Sequence, residues 1–299
     1  MKIFSGNSNK KLAVKIAKHL NLELSPVEIF VFPDLEKRIR IQEKVLGEDC
    51  IIVQTASTPP DENYMELFIM IDALRRSGAK SIRVLIPYLG YQRQDHIFRD
   101  GEAVSLEVIA EILVSVGISE GFAFDLHSPK IPDIFKVPFH HLSALTVFAE
   151  KIKKDFNLQE IVLVSPDMGG IRRIKEVSES LGNIPYATIT KNRDLATGVI
   201  NDSGLDGDVR GKIAIVVDDM ISTGKTMVEG ADMLLENGAT KVFVFATHPV
   251  FASDADKLLQ RSKIEKVIVS DTIDIPSFNQ FPKLEIVSIA EIAASALKP

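Results

Sequence analysis

Short apolar runs rich in β-branched residues recur along this chain, and between them lie longer stretches with apolar residues at every third or fourth position. The short runs, Ile51 to Val53, Ile82 to Ile86, Gly121 to Phe124, Ile161 to Val164, Ile213 to Val217, Val242 to Ala246 and Val267 to Val269, predict buried strands. The longer stretches, Tyr64 to Ser77, Ser105 to Val116, Ser143 to Phe156, Ile171 to Leu181 and Lys225 to Glu236, predict helices. At the N-terminus, lysines at 10, 11, 15 and 18 interrupt the apolar residues with helical spacing, which predicts strand, turn and amphipathic helix. Strand alternating with helix predicts βαβ units. The fold class is therefore α/β, with mainly parallel sheets covered by helices on both faces.

The pattern repeats. SGAKSIRVLIPY, Ser77 to Tyr88, resembles NGATKVFVFATH, Asn237 to His248, and Gly78 stands 160 positions before Gly238. Ser5 in KIFSGNSNKKL stands the same 160 positions before Ser165 in VLVSPDMGGIRR. Two matches at one offset imply a duplicated domain. The expected division is 1–142, joined by the C-terminal segment 284–299, against 143–283. The join falls at Phe139 to Leu145, read as a turn followed by a helix cap at Ser143. The copies differ in one place that matters for chemistry: one strand leads into Gln54-Thr55, its counterpart into Asp218-Asp219.

Composition narrows the classes. With 299 residues, 45% hydrophobic, and a mean hydropathy of +0.12, the chain can bury a sizeable core. The net charge is −6, with no basic block and no Trp, which argues against nucleic acid as the main partner but not against phosphorylated small molecules. No run approaches the roughly 20 apolar residues of a membrane span. The one cysteine, Cys50, lies in the apolar run CIIVQ and reads as an inert buried thiol, so a cytoplasmic location is expected.

VVDDMISTGKTM, Val216 to Met227, carries the strongest chemistry. A buried strand delivers Asp218 and Asp219 to the carboxyl edge of a sheet, where α/β proteins bind ligands. Ser222, Thr223 and Gly224 follow, then Lys225 and Thr226 open a helix whose free amides form an anion cradle. The acids suit a sugar's vicinal hydroxyls or a metal. A P-loop is excluded, because its spacing needs Gly where Asp219 stands. Elsewhere Asp125 and His127 end a strand, and Asp167 sits before Gly169-Gly170 as a helix cap or a ligand contact. Arg93 and Gln94 follow another strand end, able to meet phosphate and base edges or simply water. Asp34 and Glu36 are acids at a helix start or contacts to a ligand. Lys191 and Arg193, two apart in TITKNRD, point the same way in extended backbone, as an exposed basic loop or as a functional pair.

These residues carry a family resemblance. VVDDMISTGKTM is similar to the signature for 5-phosphoribosyl 1-diphosphate shared by phosphoribosyltransferases and ribose-phosphate diphosphokinases. FPDLE (Phe32 to Glu36), TASTPPDENYMELFIMIDALRRSGAK (Thr55 to Lys80), YQRQD (Tyr91 to Asp95), FDLHSP (Phe124 to Pro129) and SPDMGG (Ser165 to Gly170) resemble diphosphokinase segments in the right order. The resemblance covers essentially the whole chain. It implies two tandem duplicated phosphoribosyltransferase-like domains and transfer of the diphosphoryl group of ATP to the 1-hydroxyl of ribose 5-phosphate. It further implies that Asp218 and Asp219 hold the ribose hydroxyls while Ser222 to Thr226 wrap the 5-phosphate. Arg93 and Gln94 contact ATP, with Asp34, Leu35 and Glu36 reaching the adenine from a neighbouring subunit, hence a homo-oligomer of at least two chains. His127 and Asp167 help hold Mg²⁺, and Lys191 and Arg193 are the catalytic pair on a mobile loop.

Two other activities stay open at this point: a phosphoribosyltransferase, and a non-catalytic regulatory paralogue. Leu35 stands where the family usually has Gly, His96 and Gly101 where it has Arg, Ala103 where it has Pro, Ser222 where many members have Asp, and Lys225 where diphosphokinases have Gly. None of these removes a residue assigned to chemistry. Because they include basic loop positions linked to phosphate and ADP regulation in the family, weak or absent ADP allostery is expected.

Overall fold

Alternate residues of the strand at Asp49–Val53 explain how the sheets are covered. Cys50 and Ile52 pack with the helices at 60–76 and 105–116, while Ile51 and Val53 are equally buried on the opposite face. A strand that is apolar on both sides demands helices on both sides. The structure, a computed structural model, describes residues 1–193 and 200–298, with the side chains of 191–193 and 200–203 outside that description.

The chain forms two compact units. The first comprises Met1–Ser143, Thr272–Asp274 and Ser288–Pro299, and the second Ala144–Asp271 and Ile275–Val287. In the first, β1 (Lys2–Ser5), α1 (Lys10–His19), β2 (Val27–Val31), β3 (Lys37–Ile41), β4 (Asp49–Val53), α2 (Pro60–Arg76), β5 (Ser81–Leu85), α3 (Ser105–Val116), β6 (Glu120–Phe124) and β7 (Phe139–Leu142) follow in order. The sheet runs β1-β4-β5-β6-β7, every pair parallel, and β2 pairs with β3 as a separate antiparallel hairpin.

The second unit contains α4 (Leu145–Asp155), β8 (Ile161–Ser165), α5 (Ile171–Ser180), β9 (Tyr186–Arg193), β10 (Ile200–Asp206), β11 (Ile213–Ile221), α6 (Lys225–Glu236), β12 (Lys241–Pro249), α7 (Ala255–Arg261), β13 (Lys266–Ser270) and β14 (Leu284–Val287). Its sheet order is β10-β9-β8-β11-β12-β13-β14. From β8 to β14 all pairs are parallel and repeat the first sheet's order, so the repeat seen in sequence is a repeat of topology. Val216 and Val244 pack with Met227, Ala231 and Leu234 of α6, whereas Phe245 meets Phe148 of α4 edge-on at 5.5 Å. A last helix, α8 (Ala290–Ala296), packs against α1 within the first unit.

Three expectations need correction. Phe139–Leu142, read as a turn, is β7, because Phe139 to Leu142 ladder in parallel with Gly121 to Phe124. The N-cap position of α4 is Ala144, one residue past the expected Ser143, whose hydroxyl donates to Asp125 Oδ1 at 3.0 Å. Residues 284–287, expected with the first unit, form β14 beside β13, and the chain returns to the first unit only at Ser288.

Candidate active site

In the second unit, β11 runs through the paired acids to Ile221, beyond the expected end at Val217. Continued pairing to β12, Asp218 with Ala246 and Met220 with His248, holds the acids in extended backbone at the sheet's carboxyl edge. Arg173, from the first turn of α5, donates to Asp218 Oδ1 at 3.0 Å and lies 3.6 Å from Asp219 Oδ1. Burial pushes the Asp218 carboxyl well above its usual range, and the neighbouring Asp219 adds to this while Arg173 opposes it. Asp167 contributes in the same upward direction, so the turn after β8 and the end of β11 share one electrostatic neighbourhood. The Asp167 carboxylate also accepts from the Gly170 N–H at 3.0 Å, which braces the turn into α5.

After Ile221 the chain turns sharply. Gly224 has φ 79°, a left-handed value that a side chain resists, and it places α6 directly behind the loop. The first intrahelical bond runs from the Val228 N–H to the Gly224 carbonyl at 3.1 Å. The amides of Lys225 to Met227 therefore lie ahead of the helical ladder, at the positive end of α6. Thr223, Lys225 and Thr226 are exposed and Ser222 half-buried, so hydroxyls and amides face solvent together. Phe251 and Ala252 donate backbone N–H bonds to the carbonyls of Ile221 and Ser222, both at 3.0 Å, which fixes the cradle from behind. The result is a helix start whose free amides could take an anion, beside two carboxylates.

The corresponding strand end of the first unit is chemically different. Gln54 and Thr55 are buried, and the Gln54 carboxamide accepts from the Ser8 hydroxyl at 2.6 Å while donating to Glu66 Oε1 at 3.0 Å. Glu66, fully buried on α2, also accepts from the Asn7 N–H at 2.6 Å and from Lys37 Nζ at 2.9 Å. A Cβ on Gly6 would collide with both Gln54 and Glu66. Here the crevice is filled by the chain's own polar side chains.

The remaining candidates in the first unit lie on exposed turns. Arg93 and Gln94 are exposed, and the Gln94 side-chain oxygen accepts from the Ser105 hydroxyl at 3.2 Å, tying the turn to α3. His127 is exposed just past β6, with its backbone N–H donating to Gln92 Oε1 at 3.0 Å. Asp34, Leu35 and Glu36 form the exposed tip of the β2–β3 hairpin and begin no helix; Asp34 Oδ1 accepts from the Glu36 N–H at 3.2 Å. Lys191 and Arg193, expected on a loop, fall on the backbone of β9, registered with Ser203 and Ile200 of β10, and their side chains lie outside the described residues. His127 belongs to the first unit and Asp167 to the second. Among the described residues, no three His, Cys, Asp or Glu side chains cluster as a dedicated metal cage would require. Arg173 escaped the sequence reading; its signal was the arginine pair Arg172-Arg173, one residue beyond Gly169-Gly170.

Comparison with known proteins extends over both units. The family model described as the N-terminal domain of ribose phosphate pyrophosphokinase matches residues 1–117, and that of the phosphoribosyl synthetase-associated domain matches residues 185–299. A ribose-phosphate pyrophosphokinase of Fusobacterium nucleatum subsp. nucleatum is 40% identical over 298 residues, covering 99% of this chain and 94% of that protein. One of Thermosipho africanus is 39% identical, with 99% and 93% covered. The crystal structure of phosphoribosylpyrophosphate synthetase from Mycobacterium smegmatis is similar with a TM-score of 0.93 at 33% identity, covering 99% of this chain and 96% of that one.

Proposed function

The chain belongs to the ribose-phosphate pyrophosphokinase family, and from that membership we propose how it transfers the diphosphoryl group of ATP to the 1-hydroxyl of ribose 5-phosphate. The sugar's 1-oxygen attacks the β-phosphorus, the bond from that phosphorus to the α-bridging oxygen breaks, and AMP leaves with the bridging oxygen. Asp218 and Asp219 accept hydrogen bonds from the ribose hydroxyls, and the loop Ser222, Thr223, Gly224, Lys225 and Thr226 takes the 5-phosphate on amides and hydroxyls. Arg93 and Gln94 bind the nucleotide, and Asp34, Leu35 and Glu36 reach the adenine from a neighbouring chain of a homo-oligomer. Lys191 and Arg193 neutralise charge that grows on the transferring phosphoryl oxygens. Positioning and electrostatics suffice, so no dedicated nucleophile is required.

Mg²⁺ fits the donors present. It keeps several waters and takes only one or two protein contacts beside substrate phosphates; the Asp167 carboxylate is an oxygen donor of that kind, and the His127 imidazole would add a nitrogen donor. When bound, it would screen the charge of the ATP phosphates. No described helix is long and apolar enough to cross a membrane, and we place the reaction in the cytoplasm.

One observation carries the reading: of two copies of one fold, only the second keeps carboxylates and an open anion cradle at the strand end, so the copies have different tasks. The test is an assay of purified protein with ATP, ribose 5-phosphate and Mg²⁺. AMP release dependent on the sugar supports the proposal. In a second assay, diphosphate release from added 5-phosphoribosyl 1-diphosphate that needs a nucleobase would instead make it a phosphoribosyltransferase, and silence in both assays would make it a non-catalytic paralogue. Lys191→Ala should lower turnover by about 10²–10³-fold with the circular dichroism spectrum unchanged; near-normal turnover would remove Lys191 from the mechanism.

A further inference from the structure

Gln92 lies between two turns that carry different parts of the proposed nucleotide site. Its side chain is fully buried, while the next two residues, Arg93 and Gln94, are exposed. Gln92 Oε1 accepts the backbone N–H of His127 at 3.0 Å, across 35 residues of chain. The turn after β5 and the turn after β6 are thereby joined by one carboxamide. Its Nε2 is also buried and has no hydrogen-bond partner among the described residues, a cost that an apolar residue of similar size would avoid. A side chain kept buried with its donor unused is explained by what its acceptor holds.

We propose that Gln92 is a positioning residue of the nucleotide site, holding the His127 turn at a fixed distance from Arg93 and Gln94. It touches neither substrate nor metal. The Gly90–Arg93 turn has its own anchor, where Tyr64 Oη donates to the Gly90 carbonyl at 2.9 Å, and the segments leading into the two turns are paired by the Phe124 N–H to the Pro87 carbonyl at 3.2 Å. A Cβ on Gly90 would come within 2.6 Å of the Ala56 carbonyl oxygen, so this turn is seated by its own close approach to the sheet edge. Gln92 therefore does not build the turn that contains it. What it helps fix is the partner turn, which the Leu126 N–H also ties to His141 Nε2 at 3.2 Å, and through that the spacing between the proposed phosphate contact and the proposed metal-binding imidazole. A polyphosphate with a bound cation needs both at once, and misplacement by a fraction of an ångström weakens both.

The inference rests on the reading of Arg93 and His127 as nucleotide and metal contacts, and the experiment separates the two claims. Binding of a non-hydrolysable ATP analogue with Mg²⁺, and separately of ribose 5-phosphate, is measured by calorimetry for wild type, Arg93→Ala, Gln92→Met and Gln92→Glu. Amide hydrogen exchange at His127 is followed in each protein without ligands. Gln92→Met should weaken the analogue by about tenfold, the equivalent of one lost hydrogen bond, leave ribose 5-phosphate binding unchanged and speed exchange at His127. Gln92→Glu keeps the acceptor and should retain the slow exchange, which also decides the matter if the Met variant fails to fold. Unchanged analogue binding in Gln92→Met, equal loss of both ligands, or fast His127 exchange in Gln92→Glu would each overturn the proposal. Unchanged analogue binding in Arg93→Ala would instead overturn the nucleotide assignment.

Discussion

On the proposed function, Asp218 is a single residue that trades stability for binding. Its carboxyl is raised by burial and by Asp219, so the native protein holds that proton more tightly than the unfolded chain does. The stability this provides is complete below the unfolded carboxylate range of about 4 and is lost as pH rises through the elevated native value. At neutral pH the ionised form is thus a strain on the unliganded protein, relieved only in part by Arg173 at 3.0 Å. Asp218→Asn should raise the melting temperature at neutral pH, by about 2–4 °C for each kcal/mol of relieved repulsion, and the gain should vanish as pH falls toward 4. The same variant should lose ribose 5-phosphate affinity, since an amide offers one acceptor oxygen where the carboxylate offers two. Thermal melts from pH 4 to 8, with calorimetry of the sugar phosphate, check both halves. A variant less stable than wild type at neutral pH would mean that Arg173 outweighs the repulsion.

Secondary-structure elements were legible where their apolar positions were dense. The run Ser105 to Val116 coincides with α3, and the matched glycines 78 and 238 each follow a helix and precede a strand of corresponding rank. What the sequence concealed are the two hairpins. In Lys37-Arg38-Ile39-Arg40-Ile41 the charges leave only Ile39 and Ile41 against the core, and β9 sends Ala187 and Ile189 inward between polar residues, so neither strand has the dense apolar run of a central strand. Asp34, Leu35 and Glu36 could be picked out as residues, but the hairpin that presents them could not. Arg173 and Gln92 were hidden for another reason: each acts on a residue distant in sequence, and no local pattern announces such a partner.

The first hairpin also carries two predictions at this scale. Leu35 has φ 71°, a left-handed conformation costing a side chain roughly 1–2 kcal/mol. Leu35→Gly should therefore stabilise the protein by about 1 kcal/mol in urea melts, after the added entropy of glycine in the unfolded chain is subtracted. A loss of stability would show that the exposed leucine is held by packing instead. The second concerns the anchor at the hairpin's base, where Lys37 pairs with the buried Glu66 at 2.9 Å. Lys37→Met removes the cation but leaves Glu66 its bonds from Asn7 and Gln54, so the expected cost is about 1–3 kcal/mol. Glu66→Ala, which strips four donor groups of Asn7, Lys37 and Gln54 of their acceptor, should cost more, roughly 3–5 kcal/mol. The reverse order would mean that the network is dispensable and the first copy's crevice can open.

At the scale of the whole molecule, duplication followed by divergence gives the hairpins corresponding places. β2–β3 lies between α1 and β4, as β9–β10 lies between α5 and β11. One presents Asp34, Leu35 and Glu36 at its tip, and the other carries the backbone of Lys191 and Arg193. An arm common to both copies has been turned, on the proposed function, to nucleotide contact in one and to phosphoryl transfer in the other. If the first arm serves a neighbouring chain and the second its own, two crippled proteins can repair each other. Glu36→Ala would spoil the site of the neighbour, and Lys191→Ala the site of its own chain. In a mixed pair, the Glu36→Ala chain keeps its lysine and receives an intact arm from the Lys191→Ala chain, so one of its two sites is whole. Random mixing should then restore about a quarter of wild-type AMP release from two preparations that are each nearly inactive, because half of all pairs are mixed. The proteins must be dissociated and reassembled together, with simple mixing as the control. If reassembly restores nothing while both single variants are folded and inactive, the two arms of a site come from one and the same chain, and the proposed division between neighbour and own chain is wrong.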